Sequence, residues 1–368
     1  YDMDGLLKDV EQPGLKVLIY SFPMEYERFE PHKAVKRAFP QALCVGTSTQ
    51  GGWSSNGMVE KGLMAMSLGT EEVEEVFFSV KEGIKNDPVR CAKAAIEDLK
   101  SKLGYRSITP DDYLGLIFLD GLSLGELIMQ ALSMEPRLNL PFVGGGASAE
   151  DFIRTLVSCN DTLSADGLVL VVMKMRIPFY HTHSVHLLPT GITMVATKVT
   201  AKERIVWELN GEPAAPYYAK LIGVGSIGQL KGVGNLDQLN AEVFIKNPLG
   251  VISGDKVYCR DAVGVAEGGG LRFFCYIEAG TILHLLKPGD ILEESRKVLT
   301  EAQSHLPQVQ AALLYNCALR AAELKALKKE HAFNDLFRPL SFIGFNSYGE
   351  ELFTHHNQTL TALFLGRP

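Results

Sequence analysis

The chain has 368 residues, of which 46% are hydrophobic and 21% are charged, and its formal net charge at pH 7 is -7. This composition is that of a folded globular protein and excludes a largely disordered chain. The acidic balance supplies no basic field for phosphate backbones, so nucleic acid is not an expected partner.

The apolar runs are short and the cysteines are scattered. Runs such as Leu168–Met173 fall far below the roughly 18 residues of a membrane helix, and no secretion signal precedes them. We therefore expect a cytoplasmic protein without membrane insertion. The six cysteines stand mostly in apolar, strand-like runs without a C-x-x-C pair, which predicts buried free thiols rather than a zinc ribbon or a disulfide framework.

A unit of strand, helix, strand and small-residue turn, followed by a further apolar strand, recurs three times along the chain. Because these strands are almost wholly apolar, they predict sheets covered by helices and an α/β fold. The first strands are Lys16–Tyr20, Tyr113–Asp120 and Val309–Tyr315; the helices are Pro31–Phe39, Ser123–Met134 and Ala318–Lys329; the second strands are Ala42–Val45, Leu140–Val143 and Leu340–Ile343.

The segment between the second and third copies has a different pattern of predicted secondary structure. From His183 to about Leu286, short β-rich runs alternate with Gly and Asn, and one helix is predicted at Pro213–Ile222. This pattern predicts a β-rich insertion in the C-terminal half. The change in the predicted secondary-structure pattern near residues 176–186 indicates two domains, at residues 1–180 and 181–368.

Three histidines lie close together at this predicted boundary. On a strand, His181 and His183 would share one face, whereas His186 would point to the other. Two ligands on one face do not complete a zinc site, so we interpret the segment as an exposed linker without a metal.

Each repeat places a small-residue turn at the carboxyl end of a strand, where α/β sheets bind ligands. Glycine and serine leave the backbone N–H groups of such turns accessible. Polar residues recur at these equivalent points, so we predict a ligand-binding site there without catalytic residues. The predicted site residues are Thr47, Ser48, Gly145, Gly146, Ser148, Asn316, Cys317, Arg320, Ser347, Tyr348, Glu350, His356 and Asn357.

A series of short motifs in a fixed order resembles the FIST family, whose name stands for F-box and intracellular signal transduction proteins. The motifs include Val45–Ser48, Pro141–Gly145, Leu209–Ala214, Gly344–Glu350 and His356–Thr359. Where the family commonly shows C-x-G-R, this chain has Cys317-Ala-Leu-Arg320. The resemblance covers nearly the full length and implies an N-terminal and a C-terminal FIST domain in series.

The resemblance implies a sensory, non-enzymatic role with a small-molecule ligand, amino acids being the proposed class. It also implies regulation of a signalling protein, such as a kinase or cyclase, in trans. For an amino-acid ligand, we expect Arg320 and the N–H groups of Gly145–Ser148 to meet the carboxylate and Glu350 to accept from the ammonium group.

Two other functions stay open from the sequence. Some members of the family that the chain resembles are haem proteins that sense nitric oxide, and one of the junction histidines would then hold the iron. The sequence requires no cofactor, so haem is an alternative and not a prediction. An uncharacterised enzyme is the third reading.

Overall fold

The computed structural model describes residues 3–224 and 241–367. Helices pack on several sheets, which confirms the predicted α/β class. Within the described ranges, no helix is both long and apolar enough to cross a membrane.

The described helices and strands follow one another along the whole chain. The helices are α1 Met3–Asp9, α2 Pro31–Ala38, α3 Pro88–Leu103, α4 Gly125–Ser133, α5 Ala214–Leu221, α6 Ala241–Lys246, α7 Ile291–His305, α8 Ala318–Ala326 and α9 Glu330–Phe337. The strands are β1 Val17–Phe22, β2 Leu43–Ser48, β3 Gly52–Ser54, β4 Gly57–Val59, β5 Met64–Leu68, β6 Val73–Glu82, β7 Tyr113–Leu119, β8 Phe142–Gly146, β9 Val157–Cys159, β10 Thr162–Ser164, β11 Gly167–Met175, β12 Phe179–Ser184, β13 Leu187–Thr200, β14 Ile205–Leu209, β15 Glu212–Pro213, β16 Leu249–Ser253, β17 Lys256–Cys259, β18 Ala262–Val265, β19 Leu271–Phe273, β20 Ile282–Pro288, β21 Val309–Cys317, β22 Ser341–Ser347, β23 Glu350–Leu352, β24 Thr354–His356 and β25 Leu360–Gly366.

The chain divides into two compact units. The first unit extends to Ser184 and also contains Ser295–His355 and the residues from Leu360 onward. The second unit contains Val185–Glu294 and His356–Thr359. Long-range pairing of the third repeat with the first two therefore makes the first unit discontinuous in sequence.

Each of the three sheets in the described part of the first unit contains the same order of three strands. These orders are β2-β1-β5, β8-β7-β11 and β22-β21-β25. In every case the first two strands are parallel, and the last strand runs antiparallel to the middle one. The three predicted repeats thus share one topology.

Each repeat also contributes a hairpin to the sheet of another repeat. The hairpin β3–β4 pairs with β22 of the third repeat, and β9–β10 pairs with β2 of the first. The hairpin β23–β24 follows β22 in the chain and pairs through β23 with β8 of the second repeat. This cyclic exchange interlocks the three sheets through backbone hydrogen bonds.

The strands of the first and second sheets are apolar on both faces because each of these sheets lies between two hydrophobic clusters. In β7, Leu114, Leu116 and Phe118 enter a core to which all three sheets contribute, called here the shared core. The alternate residues Ile117 and Leu119 pack with α3 and α4 on the other face. Neighbouring residues of a strand point to opposite faces, and both faces are buried here. The sequence therefore shows continuous apolar runs rather than alternating apolar and polar residues.

The second unit is the predicted β-rich insertion. Its sheet has the order β17-β16-β20-β13-β14-β19-β18, and β15 pairs with β14. Helix α5 lies over this sheet, where Ala215 and Tyr218 are fully buried among its apolar residues.

The exposed-linker interpretation of the junction histidines is wrong. His181 and His183 lie in β12, which pairs antiparallel with β25 at the edge of the third sheet. His186 belongs to the second unit and is buried. The pattern of two histidines on one face was read correctly, but sheet pairing could not be seen from it. All six cysteines are buried, and none of them is disulfide-bonded within the described part of the chain.

Candidate functional site

The ends of β2, β8 and β22 occupy equivalent positions in the three repeats. Thr47 pairs with Val157, and Gly145 pairs with Glu350 in the same antiparallel manner. Phe345 stands at the matching point of the third sheet, where it pairs with Gly52. The predicted turn residues therefore lie in the last positions of three strands or directly after them, and these strands end at corresponding places around the shared core.

Backbone hydrogen bonds join these strand ends to one another. The N–H of Ser148 donates to the carbonyl of Ser48 over 3.0 Å, and the N–H of Tyr348 donates to Gly146 over 3.0 Å. The first and third repeats are joined by the N–H of Asn346, which donates to the carbonyl of Gly51 over 3.0 Å. A side chain also takes part, because the N–H of Gln50 donates to Ser148 Oγ over 3.2 Å. Ser148 Oγ in turn donates to the carbonyl of Asn346 over 2.6 Å. Ser148 thus connects all three repeats.

This network uses the backbone donors that the sequence assigned to a ligand. The N–H of Gly146 donates to Gly349 over 3.0 Å, and that of Ala147 donates to Leu119 over 2.8 Å. Ser48 Oγ likewise accepts from the N–H of Leu156 over 2.9 Å. A ligand carboxylate would have to compete with these internal bonds, so other donors are better placed to bind one.

Four fully buried hydroxyl groups lie on the side of the strands that faces the shared core. Ser21 continues the face of Val17 and Ile19, and Tyr315 is itself part of the shared core. The four residues, named here the hydroxyl layer, are Ser21, Thr47, Tyr315 and Thr361. Ser21 pairs with Thr47, and Tyr315 pairs with Thr361, toward the carboxyl ends of the parallel strands.

The hydroxyl layer is unusual because its oxygen atoms find no hydrogen-bond partner within the described part of the chain. Buried polar groups in folded proteins almost always have a partner, which is either protein, water or a ligand. Burial raises the pKa of the Tyr315 phenol, so this group stays a neutral donor. The layer therefore offers donors and acceptors to a polar occupant.

A carboxylate lies beside this layer. Glu350 is fully buried and accepts a hydrogen bond from Ser347 Oγ over 2.8 Å. Gly145, its pairing partner, is so close that an added Cβ would lie 2.9 Å from Ser347 Cβ and 3.1 Å from Tyr315 Cδ1. Four residues from two repeats, Gly145, Tyr315, Ser347 and Glu350, therefore converge.

Arg320 also lies in a buried polar cluster. It is fully buried at the start of α8, and its Nε donates to Asn316 Oδ1 over 3.1 Å, while Nη2 donates to Ser295 Oγ. Asn316 alternates with Tyr315 along β21 and so lies on the opposite, helix-covered face. These bonds hold the Arg320 guanidinium against Asn316 and Ser295.

The remaining predicted residues are also buried or nearly so. Cys317 directly precedes α8, and Tyr348 stacks on Phe152 with ring centroids 4.4 Å apart. His356 and Asn357 belong to the second unit, where His356 stacks on Tyr258 at 5.7 Å. Sequence reasoning missed Ser21, Tyr315 and Thr361, although a hydroxyl within an apolar strand was a signal for each.

The architecture defines an α/β domain built from three repeats, with a buried polar layer where their sheets meet. A family model for the FIST N domain matches residues 16–212, and one for the FIST C domain matches residues 214–352. The chain therefore belongs to the FIST family, whose domains are sensor domains of signal transduction. No curated protein matches the chain.

Haem can be tested against the histidines of β12. Haem iron needs a neutral histidine in an apolar slot. His181 meets this requirement, because it lines an apolar cleft and burial lowers its pKa. The residues described around that cleft include neither Lys nor Arg for the two haem propionates. The side chains at the cleft thus fit an uncharged occupant better than haem.

Proposed function

We propose that this chain is a sensory domain that binds a small, amino-acid-like ligand and regulates a signalling protein, such as a kinase or cyclase, in trans. The observation that carries the proposal is the hydroxyl layer beside Glu350. Four buried hydroxyls that have no hydrogen-bond partner in residues 3–224 and 241–367, together with one buried carboxylate, provide the mixed donors and acceptors that a zwitterion needs.

The chemistry assigns a separate role to each group. Glu350 accepts from the ligand ammonium group, and Ser347 holds the carboxylate in place through their 2.8 Å hydrogen bond. Tyr315 and Thr361 donate to the ligand carboxylate. Hydrogen bonds to charged groups contribute about 1.5–3 kcal/mol each, so two or three of them provide selectivity for a polar ligand.

Burial of the site connects binding to signalling. Because Thr47, Tyr315 and Glu350 are fully buried, a ligand reaches them only when the strand ends open. A bound ligand then favours the closed arrangement, and a ligand shifts a conformational equilibrium by its differential affinity for the two states. The signalling partner interacts differently with the open and closed forms.

The proposal is tested by thermal unfolding in the presence of each of the common L-amino acids, followed by calorimetric titration of those that stabilise. Two Tyr→Phe variants form a matched pair. Tyr315→Phe removes a hydroxyl that has no partner among the residues the structure describes. Tyr20→Phe removes one that bonds Ser158 Oγ over 2.6 Å on the opposite face of its sheet.

Opposite effects are expected from the pair. Tyr315→Phe weakens ligand binding about tenfold and leaves stability unchanged, because only the ligand used that hydroxyl. Tyr20→Phe lowers stability by about 1 kcal/mol and leaves the ligand affinity unchanged. An amino-acid panel without a single binder, or equal affinity in Tyr315→Phe and the parent, refutes the proposal.

A further inference from the structure

A cleft of about 400 Å³ lies at the opposite end of the second sheet from the hydroxyl layer. Its floor is formed by the end of α4, the turn Pro136–Leu138 and the start of β8. His181 of β12 and Phe353 complete the lining. The volume falls within the range of roughly 300–1,000 Å³ that is typical of small-molecule sites.

The lining is apolar and carries little charge. The apolar residues of the wall include Met129, Leu132, Leu138 and Phe142. The charged residue of the described lining is Glu135, whose carboxylate bonds Lys100 Nζ over 3.1 Å and the N–H of Arg137 over 3.0 Å. These bonds compensate the carboxylate and engage Lys100, and the lining residues that the structure describes include neither Lys nor Arg, so they offer no cation to an anionic ligand.

His181 and Phe353 present two rings toward the cleft. Their centroids are 5.6 Å apart at an interplanar angle of 81°, an edge-to-face arrangement. Burial lowers the pKa of His181, so the imidazole is neutral near pH 7 and can exchange one hydrogen bond with an uncharged group. A ring inserted beside them would gain contact with a second aromatic surface.

Phe353 is held in a costly conformation. Its φ is 60°, in the left-handed region that bulky residues rarely adopt, and 61% of the side chain is exposed. Neither burial nor backbone preference explains an aromatic residue here. Strained backbone of this kind concentrates at functional positions, where the surrounding structure maintains it.

We propose that this cleft is a second ligand site, specific for an uncharged aromatic molecule that packs between Phe353, His181 and the leucines of the wall. The site shares no residue with the hydroxyl layer. It would let one domain respond to an apolar as well as a polar ligand.

Two fluorescent probes with the same ring skeleton test whether the cleft prefers an uncharged ligand to an anionic one. N-phenyl-1-naphthylamine is uncharged, whereas 8-anilinonaphthalene-1-sulfonate adds one sulfonate. Titration of the full chain is expected to show saturable, one-to-one binding of the uncharged probe and at least about tenfold weaker binding of the sulfonate. Equal affinity for the two probes, or failure to bind the uncharged one, overturns the proposal.

Two variants locate the bound probe. Ser133→Trp fills the cleft from an exposed position and is expected to lower the affinity at least about tenfold. Phe353→Gly removes the ring and relieves the positive φ, so the affinity is expected to fall about fivefold or more while the melting temperature stays equal or rises. Ile153→Ala, at an exposed apolar residue outside the cleft, is the control.

The control is expected to bind the probe as the parent does. Unchanged affinity in both Ser133→Trp and Phe353→Gly places the probe elsewhere and refutes the site. The amino-acid panel is independent of this result, because Tyr315→Phe leaves the cleft unaltered. Failure at one site is therefore distinguishable from failure at the other.

Discussion

Substitution of Gly145 is expected to damage the junction of the three sheets by steric conflict. An ideal Cβ at this position lies 2.9 Å from Ser347 Cβ, 3.1 Å from Tyr315 Cδ1 and 3.2 Å from the carbonyl of Gly349. Its φ is not among the positive values, so the constraint is space and not backbone conformation. Overpacking of a tight interior costs about 1–3 kcal/mol, so we expect about 1–2 kcal/mol for Gly145→Ala and 3 kcal/mol or more for Gly145→Val.

Chemical denaturation measures these costs, and a double-mutant cycle identifies their origin. Ser347→Gly removes the Cβ that the new methyl group meets, so it is expected to recover about half of the loss in Gly145→Ala. The reasoning is refuted if Gly145→Ala is as stable as the parent. It is also refuted if the two substitutions are simply additive, because the clash would then lie elsewhere.

Three further substitutions test other parts of the structure. Ser148→Ala removes the bridge from the N–H of Gln50 to Asn346 and should lower the free energy of unfolding by about 1–3 kcal/mol; an unchanged denaturation midpoint contradicts this. Arg320→Ala should lower the free energy of unfolding by about 2–4 kcal/mol, because Arg320 makes buried bonds to Asn316 and Ser295. If this variant instead loses affinity for the amino acid at unchanged stability, Arg320 binds the ligand. Burial lowers the pKa of His32 from its ordinary 6.5, so the unfolded chain binds a proton at a higher pH than the folded chain, and stability should fall as pH drops below about 6.5. His32→Gln should flatten this part of the curve of stability against pH, and an unaltered curve contradicts the assignment to His32.

The local pattern of the sequence was sufficient for the strands, the helices and the repeat. Apolar runs of five to nine residues bounded by Gly-rich turns are recognisable without tertiary information, as Tyr113–Leu119 and Phe142–Gly146 show. The shift to short β-rich runs after His183 similarly predicted the sheet of the second unit. Side-chain periodicity is a property of the chain itself, which is why these features could be predicted.

The assembly of the sheets was decided by the tertiary structure. Backbone hydrogen bonds between strands do not depend on which side chains the strands carry. Nothing in Gly52–Ser54 therefore indicates that this strand pairs with β22, near the other end of the chain. The same limit applies to His181, whose place in an edge strand depends on pairing with Leu363. Whether Tyr315, Arg320 and Glu350 are buried, and on which face, follows from that pairing. The residue types of the candidate site were therefore visible in the sequence, but the burial of these side chains and the assembly of the hydroxyl layer required the fold.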